Sequence, residues 1–320
     1  MTGRRRINGP SGLTFSPVYL EDEVASSRKQ SRTRPATTTR NLFLKTGVAP
    51  ASSGSAYLEI ENPVGSFNVS TSGMKLVCTV HGPRALPKSA PFSPHLVLST
   101  HVKYAPFATR QRRGYLRDFS EQDLSAHLEL ALRGVIVGER WPKSNLDVTV
   151  TVLEGDHEQE MSRIQGHGDW HMMNVLSGCI TVASAAIADA GVDCVDMVAG
   201  GVSALVAGSN GQSPSVMLDP VGLETESLLG GCCIAYMPNR DEITNLWVRG
   251  QSLSSDVLLQ TKLVHGAIQA SKASHCVIVG ELVSSAGITE NIRTCSGRPK
   301  NVEQAVRYGY VTGTDFTEGL

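Results

Sequence analysis

The alternation of apolar and polar positions is clearest between Asn145 and Glu154. There Leu146, Val148, Val150 and Val152 share one parity, and Asp147, Thr149 and Thr151 share the other. Successive strand side chains point to opposite faces, so a period of two predicts a half-buried strand. AYLEI (56–60), MKLVCTV (74–80) and HLVLSTHVKY (95–104) read as further strands. The Gly/Ser/Asn-rich stretch 62–73 joins the first two and is longer than a tight hairpin needs. His81-Gly82-Pro83-Arg84 reads as a turn. The period changes near Ser120, where Leu124, Leu128, Ala131, Leu132 and Val135 fall on one helical stripe. Ser120 is the expected N-cap, with Asp123 in the manner of a capping box and Gly134 near the helix end.

Residues 155–173 break this pattern with a polar, His-bearing stretch, and a helix is expected from Asn174 to Ala190. Ser177, Gly178, Ala183, Ala186 and Ala190 keep that helix slim enough for close packing, and Gly191 suits its C-cap. Residues 195–208 and 214–219 read as short strands, continued by CCIAYMP and EITNLWV. Ser254-Ser255-Asp256 caps a last expected helix reaching about Ser285, and the polar tail beyond Gly287 carries no assigned element. Strands in groups broken by single long helices predict an α+β fold with mixed sheets.

Composition sharpens this outline. With 41% hydrophobic and 18% charged residues, a chain of 320 residues suits a soluble globular body with a large core. No apolar run is expected to approach the roughly 20 residues of a membrane span, and the Arg4-Arg5-Arg6 start is followed by no apolar leader. The seven cysteines form no C-x-x-C pair and sit mostly in apolar surroundings, which points to buried, reduced thiols. Residues 1–40 hold eight Arg and Lys against three acids, whereas the remaining 280 residues hold 21 basic and 27 acidic side chains. Residues 1–40 are therefore expected to be a disordered basic arm, either an RNA contact, a nuclear address or a solvated tail. The globular body is placed at 41–286, with a C-terminal extension at 287–320.

Two clusters invite a chemical reading. Asp156, His157, His167, Asp169 and His171 resemble metal ligands, but Gly166 and Gly168 oppose a helix and no cysteine joins them at zinc spacing. A surface loop is the expectation there, with no metal and no cofactor. Arg110, Arg112, Arg113 and Arg117 fall within eight residues, near Phe107 and Tyr115. That loop either contacts RNA through phosphates and stacked bases, contacts an acidic partner, or is merely solvated.

Six strings in order resemble the RNase PH family of phosphate-dependent exoribonucleases: GSAYLEI, KLVCTVHGPR, ALRGVI, WPKSNLDVTVTVLE, ITVASAAIADAG and the frame from Leu218-Asp219-Pro220 to Met237-Pro238. APFATRQRR, EQDLSAHLELAL and LDPVGLETE are most similar to eukaryotic, fungal-like RNA exosome ring subunits of the mRNA-transport-regulator type. The resemblance implies a ribosomal-S5-like α+β fold of two related halves. Residues 62–73 and 156–173 are insertions relative to it.

Phosphorolysis needs a guanidinium for phosphate, amides at a helix start, and carboxylates for metal and proton transfer. On the family frame the two working aspartates fall on Thr225 and Gly231, and the phosphate-binding Thr-Arg pair falls on Val175 and Leu176. The Arg pair of the preceding helix start falls near Phe119-Ser120. The resemblance thus implies a non-catalytic subunit in a hexameric ring. Its partners would be other RNase PH-like ring subunits, an S1/KH-type cap protein and RNA threading the central channel, with no membrane. The expected location is nucleus and nucleolus, also cytoplasm. An active exoribonuclease using Glu224 and Glu226 is the alternative, and a free-standing monomer is a third.

Overall fold

The computed structural model describes residues 32, 34–61, 73–109, 112–114, 116–155, 170–207, 214–221, 228–250 and 257–286. Its elements run β1 (Leu42–Thr46), β2 (Gly54–Ile60), β3 (Met74–Ala85), β4 (Val97–Tyr104), α1 (Phe119–Arg133) and β5 (Ser144–Glu154). They continue with α2 (Trp170–Asp189), β6 (Ala199–Val206), β7 (Ser215–Leu218), β8 (Leu228–Met237), β9 (Glu242–Arg249) and α3 (Val257–Ser285). One sheet has the order β1-β2-β3-β5-β4 and the other β7-β6-β8-β9. Only the β4–β5 pairing is parallel, so the first sheet is mixed and the second antiparallel. The α+β expectation holds.

The stripe Leu124, Leu128, Ala131, Leu132 and Val135 is buried, as are Leu146, Val148, Val150 and Val152. Several elements differ from the sequence-based expectation. The His81–Arg84 segment is not a turn: β3 continues through it, pairing His81 with Asp147 and Arg84 with Asn145 across an irregularity that absorbs Gly82 and Pro83. Helix α1 is capped by Asp118, not Ser120. Asp118 and Glu121 form the capping box, with the Asp118 N–H donating to Glu121 Oε2 at 3.1 Å. The buried Glu121 also accepts the Tyr104 N–H through Oε1 at 3.0 Å, tying the helix start to the end of β4. Helix α2 begins at Trp170, so the end of the stretch 155–173 belongs to it. Strand β1, Leu42–Thr46, has no counterpart among the strands expected from the sequence.

The layers meet at β6. Gly200 and Gly201 lie on opposite faces of that strand. A Cβ on Gly200 would stand 2.2 Å from the Ser177 carbonyl oxygen of α2, and one on Gly201 would stand 2.2 Å from the Ala267 carbonyl oxygen of α3. Only glycine lets two helices sandwich one strand so closely. Hydroxyls fasten the contact: Thr181 Oγ1 accepts the Gly200 N–H at 3.1 Å, and Ser271 Oγ donates to the Ala199 carbonyl at 2.8 Å. Helix α2 packs on strands of both sheets. By length and apolarity, residues His171–Asp189 match a membrane span, contrary to expectation, but most of that segment is buried as the central layer of the fold.

Candidate functional site

The frame that opens at Leu218-Asp219 is built as a clasp. Asp219 follows β7 with a positive φ of 46° and donates its N–H to the Val202 carbonyl at 2.9 Å. Its carboxylate accepts three hydrogen bonds from Arg40: the backbone N–H at 2.9 Å, Nε at 2.8 Å and Nη2 at 2.7 Å. Arg34 Nη1 stands 3.6 Å from the same carboxylate, and Arg32 Nη2 donates to the Leu218 carbonyl at 3.1 Å. Burial alone would raise the Asp219 pKa. The charge and hydrogen bonds of Arg40, reinforced by Arg34, hold it well below the usual carboxylate range. Asp219 is therefore an ionised anchor, already engaged with two arginines. The basic arm expected to end at residue 40 accordingly gives Arg32 and residues 34–40 to the folded body.

Asn174, beside the degenerate Val175 and Leu176, touches this clasp. From the second turn of α2 it donates Nδ2 to the Pro220 carbonyl at 2.8 Å, and its Oδ1 meets no partner among the described residues. Val175 and Leu176 are fully buried members of the main core, so neither side chain faces a ligand. Gly231 lies inside the second sheet, paired with Ala204 on one side and Arg249 on the other. Thr225, Glu224 and Glu226 lie outside the described residues. A cavity of about 40 Å³ borders Arg40, Asp219, Gly200 and Thr181, room for about one water and far too little for orthophosphate beside RNA.

The loop ahead of α1 is a different kind of surface. Arg112 is exposed. Arg117 is exposed as well, and its Nη1 lies 3.1 Å from His101 Nδ1. Arg113 is half-tied: Nη1 donates to Asp118 Oδ2 at 3.1 Å, and the guanidinium lies 4.1 Å from the Tyr104 ring centroid. Phe107, Leu116 and Phe119 are exposed at 75%, 70% and 78%, an apolar content that the sequence reading credited only to Phe107 and Tyr115. Arg110 and Tyr115 lie outside the described residues.

The remaining candidates fall largely outside the described residues. His171 sits in the first turn of α2, while Asp156, His157, His167 and Asp169 lie outside the described residues. Among the described residues no group of three His, Cys, Asp or Glu is placed to hold a metal ion. The six described cysteines are free, and burial pushes the Cys179 and Cys232 thiols up to about 12, leaving them inert as nucleophiles.

Known proteins match this arrangement. The family described as 3′ exoribonuclease family, domain 1, RNase PH, matches residues 38–193. Exosome complex component MTR3 of Chaetomium thermophilum is 57% identical over 288 residues, spanning 90% of this chain and 100% of the relative. The human exosome complex component MTR3 is 29% identical over 261 residues, spanning 77% and 83%. The crystal structure of rice Rrp46 superposes with a TM-score of 0.56 at 14% identity, over 77% of this chain and 97% of that one, and so supports the fold. By that near end-to-end likeness, the chain belongs to the RNase PH family, in the branch of the fungal exosome complex component MTR3.

Proposed function

We propose that this chain is a non-catalytic structural subunit of the RNA exosome core ring, supporting 3′–5′ RNA processing and degradation carried out elsewhere in the complex. The observation that carries the reading is the 57% identity to exosome complex component MTR3 across that protein's whole length. The proposed loss of the enzyme's seats is its chemical side, and it is supported by Val175 and Leu176 lying in the core and Gly231 lying within a sheet. Its partners in this reading are other RNase PH-like ring subunits, an S1/KH-type cap protein and RNA in the central channel. It would work where such RNA is processed, in the nucleus and nucleolus and also in the cytoplasm. The exposed Arg112 and Arg117, with Phe107 and Phe119, suit single-stranded RNA, because guanidinium groups meet phosphates and rings stack on bases.

The test has two measurements. Native mass of the complex purified through this chain is expected to correspond to a multi-subunit ring holding related chains and a cap. The purified chain, given labelled RNA, Mg²⁺ and phosphate, is expected to release no nucleoside diphosphates. Their release, abolished in a Glu224→Ala/Glu226→Ala double variant, would show an enzyme and overturn the proposal, as would a free monomer in the native extract.

A further inference from the structure

The segment joining β3 to β4, residues 86–96, reads LPKSAPFSPHL. It forms neither helix nor strand and is largely exposed, with Phe92 at 69%. Both of its legs are fastened to one residue. Lys143 accepts the Leu86 N–H through its carbonyl at 2.9 Å and donates its own N–H to the Ser93 carbonyl at 3.1 Å. Leu96 closes the same seam by donating its N–H to the Gly138 carbonyl at 2.9 Å.

Lys143 has a left-handed backbone, φ 57°, a costly conformation for a residue with a side chain and one that recurs at functional positions. Its Nζ stands 5.2 Å from the Phe92 ring centroid. Among the described residues no carboxylate pairs with it. The other charged side chains of the loop and of the 138–143 segment bonded to it are Lys88, His95, Glu139 and Arg140. Arg140 is engaged by Asp193 at 3.1 Å. An ammonium group is thus held beside Phe92 and Ser93 with only an aromatic face to balance it.

Ser93 follows that ring directly. Its Oγ donates to the His95 carbonyl at 2.7 Å, a local and exposed contact that leaves the hydroxyl uncommitted to the core. Pro94 comes next, and proline offers no N–H and pushes the residue before it toward extended backbone. Such a serine suits an enzyme that threads an extended substrate and has an apolar pocket for the following ring. With Pro91 two residues ahead, the pattern is Pro-x-Ser-Pro, which mitogen-activated protein kinases favour. Ser-Pro occurs at 16–17, 93–94 and 213–214, and 93–94 is the pair whose residues are both described.

We infer that Ser93 is a phosphoacceptor for a proline-directed protein kinase of the mitogen-activated class, and that Lys143 receives the phosphate. In the transfer Ser93 Oγ attacks the γ-phosphorus of ATP, the bond to the β-phosphate oxygen breaks, and ADP leaves. The hydroxyl proton passes to the catalytic-loop Asp of the kinase. The new ester oxygen no longer donates to the His95 carbonyl, which turns to water instead. The phosphate brings about two negative charges and three acceptor oxygens to the side of Lys143. Lys143 has only to swing off the Phe92 ring, since its backbone is already bonded to that of Ser93. A charge-assisted pair then replaces a cation–π contact on an exposed ring, tying the loop to 138–143 and releasing Phe92. The inference does not rest on the ring reading.

The full chain carrying Ser16→Ala and Ser213→Ala keeps Ser93-Pro94 alone among its Ser-Pro pairs. Incubated with a mitogen-activated protein kinase and ATP, it is expected to take up one phosphate. Mass spectrometry of proteolytic fragments should map that phosphate to Ser93, and adding Ser93→Ala should abolish it. By phosphorus NMR its second ionisation should fall about half a unit below the ~6 of free phosphoserine, as suits an exposed ion pair. Lys143→Gln should return the ionisation to the free value and Lys143→Arg should keep it low, while all three chains melt alike. The phosphorylated synthetic peptide 86–96, which lacks Lys143, should titrate at the free value. A folded chain left unmodified at Ser93 overturns the inference, whether or not the peptide is a substrate. So does a phosphate that titrates alike in the wild-type and Lys143→Gln backgrounds. None of these outcomes touches the ring reading, which is tested by the mass of the native complex.

Discussion

Arg40 and Arg117 carry the same side chain in two settings. Arg40 is 5% exposed and gives two side-chain hydrogen bonds to one carboxylate, with a third from its backbone. Arg117 is exposed, with its Nη1 near the ring nitrogen of His101. Both belong to clusters of arginine that look alike as text: Arg32, Arg34 and Arg40 ahead of β1, and Arg110, Arg112, Arg113 and Arg117 ahead of α1. What separates them is the presence of a buried acid. Asp219 draws the first cluster inward and turns its charge into structure. Among the described residues of the second cluster no buried acid is in reach, and Asp118, a helix cap, pairs with Arg113. Charge density in sequence therefore marks a surface only after buried counter-charges are accounted for.

The largest expected effect follows from removing that acid. Asp219→Ala leaves Arg40 buried and without its partner, and breaking one side of a buried ion pair costs about 3–5 kcal/mol. Chemical denaturation of wild type and variant should show that loss, with a lowered midpoint and an unchanged slope. A cost under about 1 kcal/mol, the range of exposed pairs, would erase the distinction between the two clusters.

Acid provides the second test. The folded pKa of Asp219 lies below its unfolded value, so the clasp contributes fully above the unfolded carboxylate range. That contribution fades as pH falls through about 4, the unfolded value, and onward to the depressed folded one. The stability gap between wild type and Asp219→Asn is expected to be constant near neutrality and to narrow below that range. A gap independent of pH down to the acid transition would mean that the carboxylate charge is not what holds Arg40.

Arg113 tests the comparison from inside the surface cluster. It packs on Tyr104 and pairs with Asp118, and so has a part in structure as well. Arg113→Ala should cost about 1 kcal/mol, from the lost cation–π contact and a partly exposed ion pair. A neutral result in thermal melts would move it fully into the surface group.

The clasp was legible in sequence only as two separate things. Leu218-Asp219 stood out as the start of a family frame, and Arg32, Arg34 and Arg40 stood out as a basic arm, but 179 residues separate Arg40 from Asp219 and no local period links them. Tertiary pairing of this kind leaves no short-range trace. Local chemistry was read well where it was strong, as in the β5 alternation and the α1 stripe. It was read late by two residues at the α1 start, because Ser120 and Asp118 are both competent caps and only Glu121 decides between them. The β3 extension was misread because Gly-Pro favours a turn locally, whereas pairing with β5 resumes at Arg84. For the degenerate site, identity was legible and burial was not. Val175 and Leu176 could be seen to lack polar groups, but their places inside the core come from helix α2 lying between the two sheets.

The smallest expected effect on stability, and the most informative on function, comes from Arg112→Ala/Arg117→Ala. Both side chains are exposed, so the double variant should stay within about 0.5 kcal/mol of wild type. Binding of a short single-stranded RNA to the assembled complex should weaken instead. Each phosphate contact removed takes about 0.7 from the slope of log affinity against log salt for a single strand, so the slope should drop by about 1.4 for the pair. Replacing both with Lys keeps the charge and should preserve most of the slope, whereas stacking on a guanidinium plane would be lost with either substitution. If both variants bind RNA with the wild-type slope, the exposed arginines are solvated and the contrast with Arg40 is one of burial alone. If the alanine variant alone loses slope, the second cluster is an electrostatic track for RNA, and the same residue type has been placed inside for stability and outside for binding.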